Sequence, residues 1–230
     1  MKSLILILSL VLCSPSWAAI TVVNTIFDNS DANGDMTITG TTAGNGLILF
    51  INTSAERTLT MSGETLIRVG STFSGTTQCC GTYFLDIWYV KSLATGGSKV
   101  FHNVSSNPYY LATILEVTGQ DTTDFLDSTA TCTASGSTST LTCDLTTTAA
   151  NDMIVGHGMG HDSATTPGSG YTETSTGNER MHEYKLDVGA ATTYTVSSTT
   201  GSAGAWIFRA AAFKAAAGGA ARVRRRVIQQ

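Results

Sequence analysis

Between Ile20 and Phe213 no stretch of the chain keeps a helical period. What recurs is a short run that alternates polar with apolar or stays apolar, closed off by Gly, Asn, Ser or Thr. Such runs lie at 21–27, 36–39, 47–52, 57–61, 66–71, 83–91, 99–104, 110–117, 130–134, 140–145, 152–159, 180–186, 193–197 and 205–213. Each predicts a strand. Many strands with short turns and no βαβ spacing predict an all-β chain, a two-sheet antiparallel sandwich of jelly-roll type. Charged residues make up only 13% of the chain, against a usual ~25%, which suits sheets coated with Ser and Thr.

Two runs are expected at the centre. In 83–90 one face carries Tyr83, Leu85, Ile87 and Tyr89, the other Phe84, Asp86, Trp88 and Val90. In 205–213 Trp206, Phe208, Ala210 and Ala212 alternate with Ile207, Arg209, Ala211 and Phe213. Large side chains at alternate positions fill the ~10 Å between packed sheets. Asp86 shares the Trp88 face and needs a partner there, Arg209 or Arg68.

The first 19 residues have the layout of a secretory signal: Lys2, an apolar run over 4–12, Pro15, then small residues before a cut after Ala18 or Ala19. The run is too short for a membrane span, which takes ~20 residues. The expected organisation is therefore a signal over 1–19, one sandwich over 20–213 and a basic tail over 214–230, in a secreted or cell-surface protein. The sandwich carries 7 basic residues and all 17 acids, a net of −10, while Lys214, Arg222, Arg224, Arg225 and Arg226 fall in the tail. A body this acidic argues against nucleic acid as a partner. The tail is the one segment suited to an anionic surface.

Past the signal, Cys79, Cys80, Cys132 and Cys143 remain, an even number for an oxidising compartment. Residues 132–143 read as a hairpin turning at Ser137-Thr138. Cys132 would then face Cys143 and Ala134 would face Leu141, close enough for a disulfide. Cys79-Cys80 has three readings: a strained ring between neighbours, two free thiols, or pairing to another chain.

Three constellations carry candidate chemistry. Asp28, Asp31, Asn33 and Asp35 crowd oxygens around an Asn-Gly turn, either a calcium loop or an Asx-rich hairpin turn. No other cofactor is expected. His157 and His161 fall on one side of a strand, ~13 Å apart at ~3.3 Å per residue, too far for one zinc ion. Gly168-Ser169-Gly170 lacks the strand-to-helix setting of a nucleophile elbow, so no catalytic residue is assigned. Trp88, Tyr109, Tyr110 and Tyr171 are the aromatics on which a glycan would stack.

Runs 57–71, 87–90 with 94–100, and 115–121 are similar to segments of a poorly characterised group of β-sandwich domains in secreted bacterial and phage virion proteins. That resemblance implies a jelly roll of the lectin kind and brings no catalytic residues. The expected function is a non-catalytic extracellular structural or adhesion module, whose partners are other subunits, including a homo-oligomer, or surface glycans. The alternative is a carbohydrate-binding lectin-like module, with or without calcium.

Overall fold

The computed structural model describes residues 19–28, 35–78, 81–104, 110–160, 165–175 and 180–217, with side chains for all of these except Tyr110 and Thr165. Residues 1–18 and 218–230, which hold most of the expected signal and tail, and Cys79, Cys80, Asp31, Asn33, Tyr109 and His161 lie outside them. Among the described residues the chain forms β1 (Thr21–Asp28), β2 (Met36–Thr41), β3 (Gly46–Thr53), β4 (Leu59–Met61), β5 (Ile67–Arg68), β6 (Phe73–Thr77), β7 (Gly81–Val90), β8 (Gly97–Asn103) and β9 (Tyr110–Thr118). There follow β10 (Leu126–Gly136), β11 (Thr140–Thr146), β12 (Met153–Met159), β13 (Thr165–Thr166), β14 (Thr172–Glu173), β15 (Arg180–Lys185), β16 (Thr193–Thr200) and β17 (Trp206–Phe213). No helix among the described residues is long and apolar enough to cross a membrane, which leaves strand-built spans unaddressed.

Two large antiparallel sheets, β1-β9-β3-β7-β5 with β6 also on β7, and β10-β17-β12-β15-β14, form the middle of the molecule. Ile48, Phe50, Ile87, Tyr89, Leu115 and Val117 of the first pack on Met153, Val155, Ala211 and Phe213 of the second. This is the predicted sandwich. Its outer faces are covered in turn. Leu47, Leu49, Ile51, Trp88 and Val90 meet Met36, Ile38, Leu59, Met61 and Phe101 of a small sheet, β2-β8-β4. Ile154, Phe208, Ala210 and Ala212 meet Leu141, Leu145 and Val196 of another, β11-β16-β13. Being covered on both faces is why β3, β12 and β17 are buried at every residue, Asn52, His157 and Arg209 included.

The two halves of the chain repeat one strand order. Replacing β1, β2, β3, β4, β5, β7, β8 and β9 by β10 to β17 in sequence turns β1-β9-β3-β7-β5 into β10-β17-β12-β15-β14, and β2-β8-β4 into β11-β16-β13. Only β6 has no counterpart. The halves join where β9 and β17 end. Asp121 N donates to Lys214 O at 2.9 Å, Ala216 N to Gly119 O at 2.8 Å, and Gln120 bridges Ala215.

Two expectations change. Cys132 and Cys143 are bonded, with Cα atoms 5.9 Å apart, but not within a hairpin ladder. Cys132 pairs with Ala210 on β17 and Cys143 with Val196 on β16, so the disulfide ties a large sheet to its covering sheet. Their ladder partners come from far along the chain because Trp206 and Phe208 fill the gap between β10 and β11. The segment 73–77, read as part of a loop, is a strand on β7. The side chain of Ile207 packs over Gly75, where a Cβ would have no room.

Candidate functional site

One set of buried polar residues converges between the two large sheets. Asn52, near the end of β3, reaches across to β12 and β15, where His157 and His182 are direct register partners. His157 Nδ1 lies 2.8 Å and His182 Nε2 3.2 Å from Asn52 Oδ1, and Thr113 Oγ1 lies 2.7 Å from His182 Nδ1. One amide oxygen facing two ring nitrogens requires both nitrogens to carry hydrogen. His182 Nδ1 is then the acceptor for the Thr113 hydroxyl. Phe50 packs on both rings, at 5.7 and 5.5 Å between centroids. Burial, before any neighbouring charge, holds His182 down to about 3 and His157 well below the ordinary histidine range. The pair is a neutral, fully buried cross-brace.

Arg209 of β17 forms a second brace. It donates to Leu85 O at 3.0 Å, to Ser71 O at 2.7 Å and to Val69 O, and stands 3.8 Å from Asp86 Oδ1. The Asp86 partner expected from sequence is thus present. Burial pushes Asp86 up, and Thr72 and the Arg209 charge oppose it. A second buried carboxyl, Glu183, on the outer side of its sheet beside Gly156, accepts from Gly168 N at 2.8 Å and is pushed up to about 8, mainly by burial.

The residues singled out for ligand binding are placed differently. Trp88 is only 8% exposed, sunk between the first large sheet and its cover, with the Arg68 guanidinium 5.5 Å from its ring centre. That closes it to a ligand. Tyr171 is half-buried under Lys185, whose Nζ is 5.5 Å from the ring centre, and it packs in the other outer core. The backbone of Tyr110 pairs with Thr53, and Tyr109 lies outside the described residues. Trp88 and Tyr171 therefore belong to different cores. Of the calcium candidates, Asp28 ends β1 and Asp35 sits 2.8 Å from His102 Nδ1, while Asp31 and Asn33 lie outside the described residues. Cys79 and Cys80 also lie outside, beyond a hairpin whose last described pair is Thr77 with Gly81.

The surface feature that sequence reasoning missed is a groove of about 520 Å³ between edge strands β1 and β14, lined by Thr25, Thr172, Glu173, Thr174, Ser175 and Tyr184. It brings a tyrosine ring, hydroxyls and one carboxyl from both halves to one place. Nothing local in the sequence marks it, because Thr25 and Tyr184 meet only through sheet stacking. Another groove, of about 470 Å³, runs past Glu64, whose carboxylate is tied to Lys99 Nζ at 2.5 Å. No family model, no characterised protein and no solved structure matches this chain.

Proposed function

We propose that this chain is an exported, non-catalytic extracellular module, a structural or adhesion subunit of a surface or virion assembly. The observation that carries the proposal is where its unusual ionisable groups are spent. His157, His182, Arg209 and Asp86 are buried and paired between the two large sheets, and Glu183 is buried against a loop N–H, which rigidifies a scaffold, whereas the groove between β1 and β14 presents mainly Thr and Ser hydroxyls. The sandwich over 20–213 is read as of jelly-roll type, in keeping with the resemblance to sandwich domains of secreted and virion proteins. Partners are further copies or other subunits, met through the outer surfaces. Light scattering and electron microscopy of the mature chain test this. Concentration-dependent polymers or binding to a cell surface is expected; a persistent monomer that turns over a polysaccharide contradicts it. Deleting residues 20–27 separates two ways of assembling. Loss of the polymer with the fold retained means that β1 is exchanged between copies, and unfolding means that it serves only its own sheet.

One observation favours a second reading, a glycan-binding module. The half-buried Tyr184 ring beside Thr25, Thr172 and Glu173 offers the stacking face and hydroxyl partners that a sugar takes. Binding on a glycan array that Tyr184→Ala abolishes would support it, and an array without signal, with or without calcium, would remove it.

A further inference from the structure

The two braces stand side by side. His157 and Arg209 are register partners on β12 and β17, and Asn52 and Leu85 are register partners on β3 and β7. Directly opposed residues of an antiparallel pair share a face, and here that face looks into the space between the large sheets. His157 crosses the space to the Asn52 amide, and Arg209 crosses it to the Leu85 carbonyl. Apolar layers close this level on either side along the strands. Phe50, Val155 and Ala211 lie on one side, and Tyr83, Met159 and Ile207 on the other.

Each brace leaves one polar atom over. Asn52 Nδ2 donates to Gly158 O at 3.3 Å, which orients the amide so that Oδ1 faces the histidines. His157 Nδ1 therefore carries the hydrogen, and its Nε2 is a lone-pair acceptor. That Nε2 is buried and has no hydrogen-bond partner among the described residues. Burial holds the ring well below the ordinary histidine range, so the lone pair is kept at neutral pH. Arg209 spends Nη1 on Leu85 O and Ser71 O and Nη2 on Val69 O, while its Nε–H is likewise buried and unpartnered. His157 is 0% and Arg209 4% exposed. A donor and an acceptor, both costly to leave unmade in an interior, thus stand on adjacent strands and one face. The side chains lean apart, His157 towards β3 and Arg209 past β7 to the chain between β5 and β6. Space opens between them.

We infer that one internal water is held between His157 Nε2 and Arg209 Nε, and that it joins the two braces into a single polar layer. The identity of the ligand follows from the two atoms. An anion would suit the guanidinium but would face the histidine lone pair. A cation would suit the lone pair but would face the permanent positive charge of Arg209. Water donates to Nε2 and accepts from Nε–H with one oxygen, and buried waters hold their places through about three such bonds each. The hydrogen-bonded line then runs from Thr113 through His182, Asn52, His157 and the water to Arg209. It ties β9, β15, β3, β12 and β17 together at one level.

NMR of the full chain with nitrogen-labelled histidine and arginine tests this. Arg209 Nε–H should give a slowly exchanging signal with a cross-peak to long-lived water. His157 should be the Nδ1–H tautomer, with its Nε2 shift moved from the free lone-pair value towards the hydrogen-bonded one. His157→Phe removes the acceptor. It should weaken the water cross-peak at Arg209 several-fold, with the Nη hydrogens on Leu85, Ser71 and Val69 as protected as before. Three results would overturn the inference: an Nε2–H tautomer at His157, coupling across a direct bond between Arg209 Nε and His157 Nε2, or an Arg209 Nε–H without water contact. A cross-peak that survives His157→Phe unchanged would do so too, since the water would then belong to Arg209 alone. If His157→Phe does not fold, the wild-type spectra decide.

Discussion

The N-terminal half, β1 to β9, and the C-terminal half, β10 to β17, share one strand order but fill it differently. In the first, central strand β3 sends Leu47, Leu49 and Ile51 outward into the β2-β8-β4 cover. In the second, central strand β12 has Ile154, Gly156 and Gly158 at the outward positions, and the ring of Phe208 occupies the space the glycines leave. The second half also supplies Arg209, the cation that reaches across to the other large sheet, both core histidines and the disulfide. One arrangement of strands is thus satisfied by aliphatic volume in one copy, and by glycine, aromatic and polar cross-braces in the other. Fold follows from where apolar faces point; residue identity is free to differ wherever volume and hydrogen bonding still close.

Four changes break or sharpen that contrast, in descending order of effect. Arg209→Met should cost most, about 3–5 kcal/mol in denaturant unfolding, because Asp86 is left as an uncompensated buried charge and three carbonyls lose their donor. Replacing Cys132 and Cys143 by Ser removes a cross-link between residues 11 apart and should cost about 3 kcal/mol. Gly158→Ala would set a Cβ 2.6 Å from Phe208 Cδ2, 2.8 Å from Leu141 Cδ2 and 2.9 Å from Ile207 O. A cost of about 1–3 kcal/mol is expected, since the carbonyl cannot swing away as a side chain might be expected to. The fourth, read per pH unit and so outside that ranking, is the slope with acid. His157 and His182 have depressed pKa values in the folded state, so their contribution is complete above the ordinary histidine value and is lost as pH falls through the folded one. Unfolding free energy should fall below pH ~6.5 by up to about 1.4 kcal/mol per pH unit for each histidine. Asp152 and Glu183, raised to about 7 and about 8, act with the opposite sign. Their stabilisation is complete in acid and lost as pH rises through those values. A stability profile with a maximum between the two arms is the expected outcome in pH-resolved thermal melts.

Much of the fold was legible in the sequence because alternation reports a strand whenever one face is covered. β7 and β17 are positioned as their aromatics predict, and the Cys132–Cys143 bond and the Asp86–Arg209 pairing are both present. What alternation does not carry is which strands ladder together. The 132–143 segment pairs with β17 and β16 because its apolar residues are needed on opposite sides of one core, a fact set by residues far along the chain. The repeated order of the halves is hidden for a related reason: 47–53, LILFINT, and 153–159, MIVGHGM, meet the same burial with different volumes. β6 was missed because Gly75 looks like a loop residue until Ile207 is seen above it. Of the site, His157 was noticed, but the neighbours that matter, Asn52 and Thr113, come from strands that only stacking brings together.

The two halves of one strand order form a single unit, held by the braces between β3, β9 and β7 on one side and β12, β15 and β17 on the other. Native-state amide hydrogen exchange of the full chain, followed through rising denaturant below the unfolding midpoint, tests it most directly. β3 and β12 should be the slowest to exchange and should merge onto one opening free energy, equal to that of global unfolding. Exchange of β12, β15 and β17 through a separate, lower opening, with β3, β7 and β9 still protected, would contradict it.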